Sequence, residues 1–200
     1  MTTMRFFAIG SWTEGMLNFD KLKDFIVSYE TASIEGSVYR LPIGFPVYMD
    51  QGGDEISGQL IELKTDETLV SIMDSFHGVH FSDATKGLHQ RILKTVRKIS
   101  GQIEQAHVYI FNPNKLSKNA KLIANGLWKE SLTTDPPLTQ QLTGRQKAYI
   151  LKLGAVKGRD IIPVDDLALY RELMKLELIV DKGRRLALSS LGKDVYNHLI

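Results

Sequence analysis

Three of the five histidines in this chain, His77, His80 and His89, fall within thirteen residues. Imidazoles carry protons near neutral pH and ligate metals, so this cluster is one candidate for chemistry. A second is Gly10-Ser11, where the apolar run Phe6-Phe7-Ala8-Ile9 stops abruptly before Trp12, Thr13, Glu14 and Gly15. That pattern reads as a buried strand ending in a tight turn, where a glycine permits unusual dihedrals or a close ligand approach. Free amides in such a turn can face an anion or a carbonyl oxygen. The histidines lack the sharp spacing of a ligand set, so no metal and no cofactor are expected. Glu14 and Glu35 are carboxylates near the turn in sequence and read as surface residues, while Trp128 reads as a core or rim aromatic. There is no cysteine, which excludes a thiol nucleophile, a disulfide framework and a cysteine-ligated metal.

The elements that must position these residues are short. Leu22, Phe25, Ile26 and Tyr29 recur at three- and four-residue steps and predict an amphipathic helix over 21–29. Ala32 to Leu41 predicts a strand with Gly36 as a bulge or close-packing point, and Pro46 to Met49 an edge strand. Asp50-Gln51-Gly52-Gly53-Asp54 is a turn signal before a strand from Glu55 to Leu63. Asp66 to Met73 predicts a short helix that stops at Gly78. Leu88 to Ile99 fits a strand or a helix, and Ala106 to Phe111 is the richest in β-formers. Many short strands with interior glycines favour a small mixed β-barrel.

The ordered set of motifs resembles the γ-glutamylcyclotransferase-like, or AIG2-like, family over roughly residues 5–131. Ile9-Gly10-Ser11-Trp12 stands where the family carries Tyr-Gly-Ser-Leu, and Met73-Asp74-Ser75-Phe76-His77-Gly78 where it carries Leu-Asp-x-x-Glu-Gly. His89-Gln90-Arg91 matches a downstream Tyr-x-Arg pattern. The strand segment Gly36-Ser37-Val38-Tyr39, then Gly44 with Pro46, Ile56 to Leu60, Ala106 to Ile110 and Gly126-Leu127-Trp128 complete the order. Three signature side chains depart together, at Ile9, His77 and His89, while the glycines remain.

The resemblance implies intramolecular aminolysis. The α-amine of a γ-glutamyl group attacks its own γ-carbonyl, a carboxylate moves the proton to the leaving nitrogen, and 5-oxoproline forms. It also implies a substrate-binding turn at Ile9, Gly10, Ser11 and Trp12, and a catalytic position at His77. A histidine carries protons but cannot set a negative charge opposite the substrate ammonium. Losing a general base costs on the order of 10²–10⁴-fold in rate. The expectation is therefore a catalytically impaired or altered relative whose cavity holds a γ-glutamyl or amino-acid-like molecule, or which serves in protein interaction. Asp74 reads as an orienting or capping group, not as a substitute base.

Beyond Ser131 the texture changes. Two prolines, Pro136 and Pro137, with hydroxyl residues around them predict a linker over 133–140. Thr143 with Gln146 forms a capping-box pattern before an apolar stripe that ends at Gly154. Pro163, Asp165 and Asp166 predict the start of a second helix running to Lys175. Leu178 to Val180 and Leu186 to Leu188 flank a basic turn, and Ser189 or Ser190 caps a last helix. This order resembles a winged-helix domain over 141–200. From Thr133 onward there are eleven Lys/Arg against eight Asp/Glu. Arg171, Lys175, Lys182, Arg184 and Arg185 are the candidate DNA contacts, with a protein-interaction or dimerisation module as the plainer use.

The whole reading is an α+β chain: a cyclotransferase-like barrel over 1–132, a linker, and a winged-helix-like domain over 141–200. Two alternatives stand beside the impaired enzyme. One is an active cyclotransferase; the other is a regulator that senses a ligand through the barrel and binds DNA through the C-terminal domain. The hydrophobic and charged fractions of 43% and 24% are ordinary for a globular protein. A net charge of +2 points to no particular partner. The N-terminal residues carry no signal-peptide pattern, no apolar run reaches the roughly 20 residues of a membrane span, and a cytoplasmic location is expected.

Overall fold

The structure is a computed structural model, and it describes residues 2–156, 166–183 and 185–200. The chain forms two compact units, one of residues 1–41 and 45–134, the other of 42–44 and 135–200.

The first unit is a closed barrel. Its strands are β1 (Thr3–Ala8), β2 (Ile26–Arg40), β3 (Pro46–Lys64), β4 (His89–Lys98) and β5 (Ile103–Phe111). They pair in the order β3-β1-β5-β4-β2, and β2 pairs back to β3. All pairs are antiparallel except β1 with β5, where Phe6 opposes His107. A short β6 (Lys121–Ile123) adds to the end of β2. The first strand is apolar on both sides for a reason. Phe7 points into the barrel core with Ile34, Ile56 and Val108, while Phe6 and Ala8 face a second cluster outside it. That outer cluster is covered by α1 (Glu67–Phe76) and by a 3-10 segment, Phe19–Phe25.

Two local expectations fail here, both to long-range pairing. The helix predicted over 21–29 ends as the 3-10 segment at Phe25, and Ile26 and Tyr29 belong to β2 opposite Leu63 and Ile61. Ladder bonds to β3 outweigh a weak local period in a β-branched stretch. The turn predicted at Asp50-Asp54 does not end a strand. Ser37 pairs with Met49 and Gly36 with Asp54, so residues 50–53 bulge from one continuous β3. The extra residues lie on β3 and not at Gly36, which is instead a close-packing point where a Cβ would stand 2.5 Å from the Tyr48 ring. Leu88 to Ile99 resolves as strand β4.

The second unit holds α3 (Leu138–Gln141), α4 (Gly144–Gly154), α5 (Leu167–Lys175), the hairpin β7 (Ile179–Asp181) and β8 (Leu186–Leu188), and α6 (Ser190–Leu199). Thr143 and Gln146 make the capping box reciprocally. Asp166 caps α5 by accepting from Ala168 N and Leu169 N. The expected starts at Pro163 and Asp165 lie outside the described residues. Leucines and isoleucines of all these elements, Ile150, Leu173 and Ile179 among them, share one core. The division between the units, at Thr134 and Asp135, falls within the linker expected at 133–140, and helices reach into that stretch from both sides. The barrel unit's last helix, α2 (Trp128–Thr134), runs through Thr134, and α3 starts at Leu138. Its hydroxyls are tolerated because they bond back to the preceding turn, Ser131 Oγ to Trp128 O at 2.7 Å and Thr133 Oγ1 to Glu130 O at 2.8 Å.

Gly192 shows packing overruling propensity. In a helix, alanine is favoured over glycine by about 1 kcal/mol. A Cβ at 192 would stand 1.9 Å from Leu178 O. That oxygen already accepts Ser189 N at 3.0 Å, and a backbone carbonyl cannot swing aside as a side chain can. Gly192→Ala is therefore predicted to destabilise the chain by about 2–3 kcal/mol, read as a lower urea midpoint. An unchanged or raised midpoint would refute this close approach.

Candidate functional site

Beyond β1, Gly10 takes φ +60° and opens a 3-10 turn, Gly10–Trp12. A side chain at this position would meet Pro46 Cγ at 2.3 Å, so only glycine brings the turn this close to the start of β3. Ser11 is held by Asn18, whose Nδ2 donates to Ser11 Oγ at 2.9 Å. Trp12 is thereby turned inward and buried. The turn, β1, the start of β3 and the end of α1 together enclose a cavity of about 300 Å³.

Ile9, Ser11, Trp12 and His77 all line this cavity, whereas Gly10 shapes it from behind. The remaining wall is apolar or aromatic, with Phe45, Pro46 and Phe76 on it. His89 lines it too. Among the described residues no Asp, Glu, Lys or Arg does.

His77 is the C-cap of α1, and its ring is sandwiched. Tyr109 stacks on one side at 3.6 Å between centroids and 4° between planes, and Trp12 stacks at 5.6 Å and 24°. His77 Nδ1 lies 2.8 Å from Met73 O, and His89 Nδ1 lies 2.7 Å from His77 O. A carbonyl only accepts, so Nδ1 carries the proton on both rings and Nε2 keeps its lone pair. Burial drives the His77 pKa down to about 3, against the upward pull of its backbone bond to Met73 O. Burial lowers His89 as well. Both are uncharged at neutral pH.

Behind this layer sits a charged group that faces away from the cavity. Asp74 is 1% exposed and accepts from Arg91 Nε at 2.8 Å, from Arg91 Nη2 at 3.2 Å, and from the Tyr109 hydroxyl at 2.8 Å. The hydrogen bond to Asp74 raises the Arg91 pKa. Burial, then the same carboxylate, raises that of Tyr109. Both Asp74 oxygens are engaged, which gives it a positioning role: it holds the Tyr109 ring on which His77 stacks.

The other candidates lie elsewhere. His80 is exposed and contacts Ser82. Among the described residues no three metal-ligating side chains converge. Glu14 is exposed and accepts the Tyr29 hydroxyl, and Glu35 is exposed on β2. Trp128 packs half-buried on the barrel core. In the second unit, Arg171 and Lys175 are exposed on α5, and Lys182 and Arg185 are exposed at the hairpin. Arg184 lies outside the described residues. Sequence reasoning read Asp74 as an orienting or capping group but missed its link to Arg91 and Tyr109, and it missed Phe45 and Phe76 as lining residues. The available signal for that link was Asp74 beside Met73 in the apolar stripe of α1, an acid where burial is expected.

The family model described as "Gamma-glutamyl cyclotransferase, AIG2-like" matches residues 6–130. No curated protein matches the sequence. Among solved structures, the At5g39720.1 protein of Arabidopsis thaliana is 15% identical, with 67% of this chain and 85% of that one covered at a TM-score of 0.50. YkqA of Bacillus subtilis is 17% identical, with 94% and 81% covered at 0.49. An AIG2-like protein of Mus musculus is 16% identical, with 57% and 82% covered at 0.45. With the five-stranded barrel closed and the family model matched over most of it, the chain belongs to the γ-glutamyl cyclotransferase, AIG2-like family.

Proposed function

We propose that the barrel is a small-molecule binding domain that has lost cyclotransferase turnover. One observation carries this reading: among the described residues no carboxylate lines the cavity. The family chemistry, as the resemblance gives it, asks one group to take a proton from an ammonium and return it to a leaving nitrogen. His77 occupies the position of that group, but its Nδ1 is committed to Met73 O and its ring is packed between Tyr109 and Trp12. Its depressed pKa makes it a poor acceptor of the ammonium proton at neutral pH. Asp74, the acid three residues earlier, is held by Arg91 and Tyr109. The helix, helix, hairpin, helix order of the C-terminal unit supports a winged-helix-like reading of 141–200 as an attached module.

Purified chain incubated with γ-glutamyl amino acids, γ-glutamyl amines or glutathione is expected to release no 5-oxoproline above the uncatalysed rate. Release above that rate overturns the proposal. Its disappearance in His77→Ala would then identify His77 as the proton carrier.

A further inference from the structure

The polar atoms of the cavity are few, and what they already bind fixes what they have left to offer. Two hydroxyls are spent as donors, Tyr48 on Glu35 O at 2.6 Å and Tyr109 on Asp74. Trp12 Nε1 is sealed from the cavity and takes no part. Ser11 lines it, and its Oγ already accepts from Asn18 Nδ2 at 2.9 Å, so the hydroxyl proton is what it offers. His77 and His89 hold their protons on Nδ1, against Met73 O and His77 O, which leaves an Nε2 lone pair on each. Unlike Trp12 Nε1, neither Nε2 is closed off from open space, and the cavity is what these two rings line. Their centroids lie 5.2 Å apart with planes at 87°, close enough for one small group to meet both. The wall thus presents two acceptors and one donor.

We infer that the cavity takes an uncharged aromatic compound bearing a primary carboxamide, or an equivalent group with two N–H donors beside one acceptor. This rests on the reading of the cavity as a binding site, and adds what it binds. The two N–H bonds of a primary amide match the two Nε2 lone pairs, and its carbonyl accepts the Ser11 proton. A ligand that only accepts leaves both imidazoles unmatched, and a site built around acceptors rejects such a ligand. A carboxylate sets its own lone pairs against those of the histidines. An ammonium supplies donors but sheds its hydration and meets no opposite charge among the described lining residues. Aromatic walls favour a planar body through stacking and edge contacts. The volume of about 300 Å³, at the small end of ligand pockets, limits that body to one or two rings.

The test uses three probes of nearly equal shape on the full chain at about pH 8, where both histidines are neutral. These are 2-naphthamide, which carries both donors and the acceptor; 2-acetylnaphthalene, which keeps the acceptor and has a methyl in place of the amino group; and 2-naphthoate, which is charged. Equilibrium dialysis is expected to show the amide binding about tenfold tighter than the ketone, and about tenfold or more tighter than the carboxylate. His89→Phe keeps a ring and removes one acceptor, so it should cut the amide's advantage over the ketone to about threefold. Ser11→Ala removes the donor that both carbonyls share, so it should weaken amide and ketone alike, by about fivefold, and leave their ratio unchanged. The ketone or the naphthoate binding as tightly as the amide overturns the inference, as does no binding by any probe. Should a variant fail to fold, the three wild-type affinities still decide. Release of 5-oxoproline is a separate readout: it sinks the loss of turnover whatever the probes do, and failed probe binding leaves that loss standing.

Discussion

Asp74→Ala is expected to lower the stability of the chain by about 3–5 kcal/mol, the usual cost of removing one partner from a buried ion pair. The substitution strips Arg91 of both its hydrogen bonds to carboxylate oxygens and leaves the Tyr109 hydroxyl without its acceptor. Side-chain exposures of 2% for Asp74 and 25% for Arg91 mean that water cannot fully take its place. Asp74→Asn keeps the shape and can still accept from Tyr109, yet leaves the guanidinium without a counter-charge, so most of the loss should persist. Urea titration followed by circular dichroism measures both variants. A loss under about 1 kcal/mol, the range of an exposed pair, would show that the group carries no such weight. The consequence reaches the cavity as well, because Tyr109 is the platform on which His77 stacks.

Acid should unfold the barrel earlier than carboxylate protonation alone would. The unfolded chain takes up a proton on His77 as pH falls through about 6.5. The folded chain does not until about pH 3. Across that window the unfolded state binds more protons, so stability falls with pH, and below about 3 this loss levels off. By about pH 4.5 the contribution of His77 amounts to roughly 2–3 kcal/mol. His89, lowered in the same sense by burial, adds to the slope. His77→Phe preserves a stacking ring and cannot titrate. Its stability should therefore change less than that of wild type between about pH 4.5 and 7.5, and the carboxylates common to both proteins cancel in the comparison. Parallel curves would mean that the imidazole is not held neutral.

How much of this was readable beforehand depends on the range of the interaction. Phe6-Phe7-Ala8 announces a strand buried on both sides because both clusters it serves are apolar. Gly10 announces the turn because its conformation and its approach to Pro46 both need glycine. Asp66 and Thr143 announce their helices because capping is local. The failures are non-local. Ile26 to Tyr29 follows a helical period and is recruited by β3, thirty-odd residues away. Gly52-Gly53 has the chemistry of a turn, yet the partner strand β2 continues past it and turns it into a bulge. Ile9, Ser11, Trp12 and His77 were legible as a group through the resemblance, whereas Phe45 reads as part of a broken loop until the barrel closes over it. Asp74, Arg91 and Tyr109 are joined only by the β4–β5 register, which sets Arg91 directly opposite Tyr109.

The parallel contact of Phe6 with His107, with Arg5 bonded to Glu104 at 2.6 Å beside it, has a bearing on the order in which the protein is made. It joins positions about a hundred residues apart, so loop-closure entropy must be met before the contact forms. On a ribosome, β1 finds β3 after about sixty residues but lacks its other neighbour until β5 emerges. Until then the nascent sheet has a bare edge at β1, with Phe6 and Phe7 uncovered, and such edges recruit other chains. Truncations that end before Ile103 should therefore enter inclusion bodies, and their recovery in the soluble fraction would show that the edge at β1 is covered without β5.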